Sequence, residues 1–196
     1  SEKEYSQKNI EVRKVDLQDI GQLEKHLSET NFSNISSFIN CAGKIFPHRF
    51  SDSSYESIIE SLKVNSISAS LFIQKLLPQM IKVKYGRIVQ LGSIGVKYGG
   101  GMNNYPYSLS KHLLEFFPSE IKQSSIYNVL CNTIRVGFVN TGSHKLIPNK
   151  NFDERISLIP IKRAAEPKEI IGMIYYLGSS MNTYTTCEVI SIAGGE

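Results

Sequence analysis

"GRIVQLGSIGVKYGGGMNNYPYSLSKHLLEFF", residues 86–117, sets three different patterns end to end. GRIVQLGS (86–93) is a short apolar run with a glycine-containing exit, which predicts a strand. Turn-forming Gly and Asn residues follow. YPYSLSKHLLEFF then places apolar positions at helical spacing, and Pro118 behind it predicts a kink or an end to that helix. Strand, glycine-rich turn and helix in that order is the unit from which parallel sheets are built, because parallel neighbours need a crossover connection.

The same alternation extends in both directions. IEVRKVDL (10–17) is read as a strand ending at Asp16, and DIGQLEKHLSE (19–29) as a helix with Ile20, Leu23 and Leu27 on one face. ISSFIN (35–40) is a short buried strand followed by the turn CAG. Ser51 or Ser53 is placed to cap a helix reaching about Leu62, and 64–82 reads as a further helix with Pro78 in its last part or at a kink. YNVLCNTIR (127–135) is a strand, EPKEIIGMIYYLGS (166–179) a helix with Pro167 in its first turn, and CEVISIAGG (187–195) a closing strand. The expectation is an α/β fold, a doubly wound parallel sheet in a single domain over 1–196, with no internal repeat. One long irregular stretch, 137–160, has the length of an active-site lid.

Composition narrows the function classes. The 196 residues are 41% hydrophobic and 20% charged, with a formal net charge of +4, which suits a soluble globular domain rather than a disordered chain. Basic residues are interleaved with acids, so nucleic-acid binding is not expected. No run approaches the roughly 18 apolar residues of a membrane span, so no membrane partner is expected either. Cys41, Cys131 and Cys187 lack metal-site or redox-motif spacing and are read as buried, reduced thiols in a cytoplasmic protein. His26, His48, His112 and His144 lack ligand spacing, so no metal is expected. The pair Tyr175–Tyr176 reads as core or subunit contact.

Ligands of open α/β sheets bind beyond the carboxyl ends of the strands. There the sequence places Asp16, Asn40, Ser93 and Asn140–Thr141. Tyr107 and Lys111 lie four residues apart, one turn of the predicted helix, and so share a face. A chain of this composition supplies about one such pair by chance, and alone it is a solvated helical pair. Ser93 alone is a turn serine, Asn65 a helix residue and Asp16 a strand-end or capping acid. Together a serine, a tyrosine and a lysine suit the movement of a hydride to or from a carbonyl carbon. The carbonyl oxygen needs a proton donor and a hydrogen bond, and a nearby ammonium brings a phenol's pKa down from about 10.

At these residues the sequence resembles the classical short-chain dehydrogenases/reductases. The resemblance rests on NCAG (40–43), Val64–Asn65, QLGSIG around Ser93, YSLSK (107–111), RVGFVNT (135–141), IPIKRAAEPKEI (159–170) and the terminal ISIAGG, in the family's order over nearly the whole chain. The general likeness is to 3-oxoacyl-carrier-protein reductases. It implies a Rossmann-type sheet, NAD or NADP as cofactor and interconversion of a secondary alcohol and a ketone. It further implies a small-molecule carbonyl or alcohol substrate, and a homodimer or homotetramer when full length. Residue by residue, Tyr107 would be the general acid/base. Lys111 would lower its pKa and hold the nicotinamide ribose, and Ser93 would polarise the carbonyl. Asn65 would anchor a relay water through a local helix distortion. Asn40, Ala42 and Gly43 would pack against the cofactor, Asp16 would contact the adenine, and Thr141 would hold the nicotinamide amide.

Three residues depart from the family pattern: Cys41 replaces an asparagine in a turn expected to be buried, Val136 replaces a proline, and Pro118 interrupts the catalytic helix. The family's opening strand, TGxxxGxG turn, helix and second strand have no counterpart here. The chain is therefore expected to be N-terminally incomplete, to leave strand 10–17 without a neighbour, and by itself to bind nicotinamide cofactor weakly or not at all. Two other readings stand beside this one. A sugar-nucleotide-modifying enzyme shares the Tyr–Lys pair, and a scaffold or cofactor-sensing protein uses the fold without the chemistry.

Overall fold

A computed structural model describes residues 10–141 and 152–196. Four strands form one sheet in the order β1-β2-β3-β4, namely Ser37–Asn40, Gly86–Leu91, Val129–Val136 and Val189–Ile192. Every pairing is parallel, with Phe38 opposite Ile88, Val89 opposite Asn132 and Ile134 opposite Ile190. The helices are α1 (Ile20–Glu29), α2 (Tyr55–Leu62), α3 (Ser68–Val83), α4 (Tyr105–His112), α5 (Ser119–Ser124), α6 (Phe152–Ser157) and α7 (Pro167–Gly178).

The near-continuous apolar runs of the strands follow from burial on both faces. Successive side chains of β2 point to opposite sides, and so Ile88 and Val89 serve different cores. Ile88 packs with Leu76, Leu77 and Met80 of α3, Ile121 of α5, and Val129 and Cys131 of β3. Val89 packs with Ile134 and with Leu177, Met173 and Ile174 of α7. Each such side chain, fully buried, contributes roughly 1.5–3 kcal/mol. The sheet is thus doubly wound, as its sequence pattern predicts. Gly86 permits the close seat of α3, since a Cβ there would lie 2.6 Å from Met80 Sδ.

Some segments differ from expectation. Residues 10–16 form no strand: among the described residues nothing pairs with them, and Ile10 and Val12 are exposed. Alternation of apolar residues does not make a strand when no neighbour takes its hydrogen bonds. Asp16 therefore closes a turn rather than a strand, its carboxylate accepting from Gln18 N–H at 2.9 Å. The cap of α2 is Ser54, because Phe50–Asp52 first makes its own 3-10 turn. The two helices expected over 51–82 form one path, joined by a π-helical segment at Lys63–Ile67. Pro78 lies in the last part of α3, and Pro118 falls between the 3-10 end of α4 and the start of α5. Within the stretch read as irregular, Phe152–Ser157 is helical, while 142–151, with His144, lies outside the described residues. Tyr175 and Tyr176 are exposed, 65% and 36%, and are not core. Cys41 is exposed, not buried, whereas Cys131 is buried and Cys187 intermediate.

One buried cation organises the end of the sheet opposite the strand exits. Arg87 is 1% exposed. Its Nε donates to Ser179 O, Nη1 to Gly86 O and Asn128 O, and Nη2 to Asn128 Oδ1 and Asn182 O, at 2.7–3.2 Å. All five guanidinium N–H groups are spent on neutral oxygens.

Candidate active site

Beyond the carboxyl ends of β1, β2 and β3 opens a cavity of about 740 Å³ lined by Gly43, Ser93, Tyr107, Lys111 and Thr141, among others. Each arrives there for a local reason. Ser93 ends the extended run of β2 and caps the 3-10 turn Ile94–Tyr98, its hydroxyl accepting from Gly95 N–H at 3.2 Å. The chain then turns back through Gly99 and Gly100, both at positive φ, where glycine carries no steric penalty. A Cβ at Gly100 would also collide with the Ser108 hydroxyl, so the loop rests directly on the first turn of α4. Asn104 precedes that helix and Pro106 occupies its first turn, where a missing N–H costs nothing. Tyr107 and Lys111 then follow one turn apart on the face toward the strand ends.

Lys111 is 3% exposed and donates to Ala42 O at 2.9 Å and Leu91 O at 2.7 Å. Burial pushes its ammonium down from 10.5 to about 8, with the neighbouring Cys41 thiol acting in the opposite sense. Burial likewise raises the Tyr107 phenol, and a hydrogen bond from Ser93 pulls it back in part. Here the structure departs from the expected pairing. The ammonium lies 6.0 Å from the Tyr107 ring centroid and spends its hydrogen bonds on two backbone carbonyls, so desolvation governs the phenol rather than Lys111. The Cys41 thiol is also raised by burial and drawn down by Lys111.

Asn65 lies in the π-helical segment and is fully buried. The helix distortion expected around it is present. Its side chain, however, is committed: Oδ1 accepts from Lys44 N–H at 2.8 Å, and Nδ2 lies 3.0 Å from Lys44 O. Asn65 thus grips the backbone of the 42–44 turn from behind instead of facing the cavity.

The remaining candidates divide. Asn40 and Ala42 line a smaller cavity of about 150 Å³, and Cys41 lines both this one and the larger. Asn40 is 4% exposed; Oδ1 accepts from Ala42 N–H at 3.2 Å, while Nδ2 is buried without a partner. Asp16 lines neither cavity. Among the cavity residues that the sequence did not single out are Asn104 and Arg155. Asn104 has a buried Oδ1 without a donor, and Arg155 on α6 is paired with Glu196 at 2.7 Å. Neither belongs to a motif; Asn104 reaches the cavity as the N-cap residue of α4, whereas only the fold brings Arg155 to Tyr107. Among the described residues no group of three or more His, Cys, Asp or Glu side chains forms a metal site, and no helix is long and apolar enough to cross a membrane.

The residues fit a dinucleotide at this wall in one testable respect. Gly43 leaves open the space beside the ammonium, since a Cβ there would stand 3.3 Å from Lys111 Nζ. A flat group seated on Gly43 would meet the Lys111 head.

The chain is similar in sequence and in fold to known proteins. A family model described as enoyl-(acyl carrier protein) reductase matches residues 2–196. The 3-oxoacyl-[acyl-carrier-protein] reductase FabG of Aquifex aeolicus is 34% identical over 137 residues, 69% of this chain and 55% of that protein. Its namesake from Chlamydia muridarum is 27% identical over 190 residues, 95% of this chain and 74% of that protein. The chain spans 50–58% of the length of the first curated relatives it matches. In three dimensions it superposes on an NADP-bound 3-oxoacyl (acyl-carrier-protein) reductase from Agrobacterium tumefaciens with a TM-score of 0.80. That match has 24% identity and covers 92% of this chain and 72% of that one.

Proposed function

Since the chain belongs to the classical short-chain dehydrogenase/reductase family, we propose that it carries the acid/base half of an NAD(P)-dependent oxidoreductase that interconverts a ketone and a secondary alcohol. The observation that carries this reading is the meeting of Ser93, Tyr107 and a buried Lys111 on one cavity wall. Nicotinamide, when bound, supplies or accepts the hydride. The protein's own part is to manage the proton and the oxygen.

In the reducing direction the substrate oxygen sits between the Ser93 and Tyr107 hydroxyls, which line the same cavity. Tyr107 gives its proton to that oxygen as negative charge develops on it, and Ser93 holds the oxygen in place. Burial keeps the phenol protonated and thus ready to donate. Oxidation runs the same step backwards, and Tyr107 then accepts the alcohol proton. Lys111 is carried on the same helix face and places one cation close to the phenolate that forms after donation. Apolar side chains including Ile94, Phe138, Ile170 and Ile174 line the cavity and keep water from the reacting centre.

Gly43 and Lys111 would hold the cofactor, with Asn40 and Ala42 beneath and Thr141 opposite. The substrate is a small ketone or alcohol, and the whole protein assembles as a homodimer or homotetramer. Tyr107→Phe removes only a hydroxyl. In the protein as expressed from its own gene it should reduce turnover by about 10³-fold or more while leaving the far-ultraviolet circular dichroism unchanged. Turnover within tenfold of wild type would refute the assignment.

A further inference from the structure

Behind the cavity wall, α2, the π-helical segment and α4 meet on a cluster of polar side chains that the chemistry above does not use. Ser61, Asn65 and Ser110 are each 0% exposed. The Asn65 Nδ2 lies 2.9 Å from Ser110 Oγ and 3.1 Å from Ser61 Oγ, and the two hydroxyls are 3.2 Å apart. Ser110 O–H donates in turn to Tyr107 O at 2.8 Å. The Ser110 hydroxyl therefore donates once and accepts from Asn65 and Ser61, which uses its full capacity.

The position of this cluster gives it a consequence for Lys111. Ser110 is the residue before Lys111 and is tied to the backbone of Tyr107, so it fixes the turn that carries both. From the other side, Asn65 clamps both polar groups of the Lys44 backbone, and so fixes the turn whose Ala42 carbonyl accepts from Lys111 Nζ. A single buried amide thus joins the helix that presents the ammonium to the loop that receives it.

We infer that Ser61 and Ser110 are positioning residues which, through Asn65, lock α4 against the 42–44 turn and so hold the Lys111 ammonium in place. The consequence for turnover rests on the function proposed above; the geometry at Lys111 does not. Loss of the Ser110 hydroxyl leaves Lys44 O and Ser61 Oγ for the two Asn65 N–H groups, but it removes the bond that ties α4 to Asn65 and strands the Ser61 O–H in a dry interior, so that α4 and the turn can separate. Lys111, which faces the titratable groups Tyr107 and Cys41, then gains access to water.

The test compares Ser61→Ala, Ser110→Ala and the double variant with wild type. A control is Ser124→Ala, another buried serine, which bonds Ile121 O at 2.8 Å outside this cluster. Acetic anhydride labelling of Lys111 across pH, followed by peptide mass spectrometry, reads the ammonium directly and needs no turnover. Wild type should show a midpoint near 8. Ser110→Ala should raise it by about one pH unit. Where turnover is measured, the same variant should lower kcat about tenfold with KM changed less than about twofold. The double variant should be no worse than Ser110→Ala alone, as befits one shared network. Ser124→Ala should change stability without moving the midpoint.

If Ser110→Ala does not fold, Ser61→Ala, which keeps the Asn65–Ser110 bond, should still shift the midpoint upward by a smaller amount. An unmoved midpoint in the folded variants, or an equal shift in Ser124→Ala, would overturn the inference. Absent turnover in wild type with the labelling shift intact would overturn the proposed function and leave the positioning role standing.

Discussion

Replacing Lys111 by methionine turns the buried ammonium into a measurable dependence of stability on pH. Folded Lys111 titrates at about 8 against 10.5 for the ordinary side chain. Below pH 8 both states carry the proton, and the native state bears the whole cost of a desolvated charge. Between 8 and 10.5 the unfolded chain still binds a proton that the native state has released. Unfolding free energy therefore rises with pH across that window, by about 1.4 kcal/mol per pH unit and about 3 kcal/mol in all. The variant loses the bonds to Ala42 O and Leu91 O as well, but that loss is the same at every pH. Urea unfolding of both proteins at several pH values between about 6.5 and 10.5 isolates the effect. The stability of wild type minus that of the variant should climb by about 3 kcal/mol. A difference flat to within about 0.5 kcal/mol would show that the ammonium is hydrated in the native state, and would refute the burial argument.

Other expectations follow from the same geometry. Arg87→Lys offers three N–H donors to a site that uses five, so at least two buried oxygens lose their partners; urea unfolding should show a loss of about 2–6 kcal/mol, and a loss below about 0.5 kcal/mol would refute the clamp. In the protein as expressed from its own gene, Gly43→Ala crowds the pinned Lys111 Nζ at 3.3 Å, so nicotinamide affinity measured by fluorescence titration should fall about tenfold or more while stability stays within about 1 kcal/mol. Equal affinity in the two proteins would place the cofactor elsewhere. Ser93→Ala removes the influence that draws the Tyr107 phenol down, so the ascending limb of the pH profile for alcohol oxidation should move to higher pH along with a fall in kcat; a limb that stays put would remove Ser93 from contact with the phenol.

The elements most legible in the sequence were those whose identity depends on their own residues. GRIVQL and VLCNTIR are apolar enough to be buried on both faces, and both are central strands. Pro167 and Pro118 act on their own backbone, one opening α7 and the other separating α4 from α5. Residues 10–16 failed the same reading because a strand is a property of a pair, and no described neighbour completes it. Cys41 was misplaced for a related reason: an apolar sequence context does not set how far the turn is covered, and the residue is exposed while its thiol is still partly desolvated.

The candidate site divides along the same line. Residue order by itself determined that Ser93 follows a strand, that Tyr107 and Lys111 share a helix face, and that a glycine stands at 43. These are short-range facts, set by the period of the helix and the chemistry of turns. Only tertiary structure decided that Lys111 spends its protons on Ala42 and Leu91 rather than on Tyr107, and that Asn65 turns away from the cavity toward Lys44. It also brought Ser61 and Ser110, 49 residues apart, to one amide. Desolvation and hydrogen-bond partnership are sums over neighbours from distant segments, and those neighbours exist only once the sheet and its helices have closed around them.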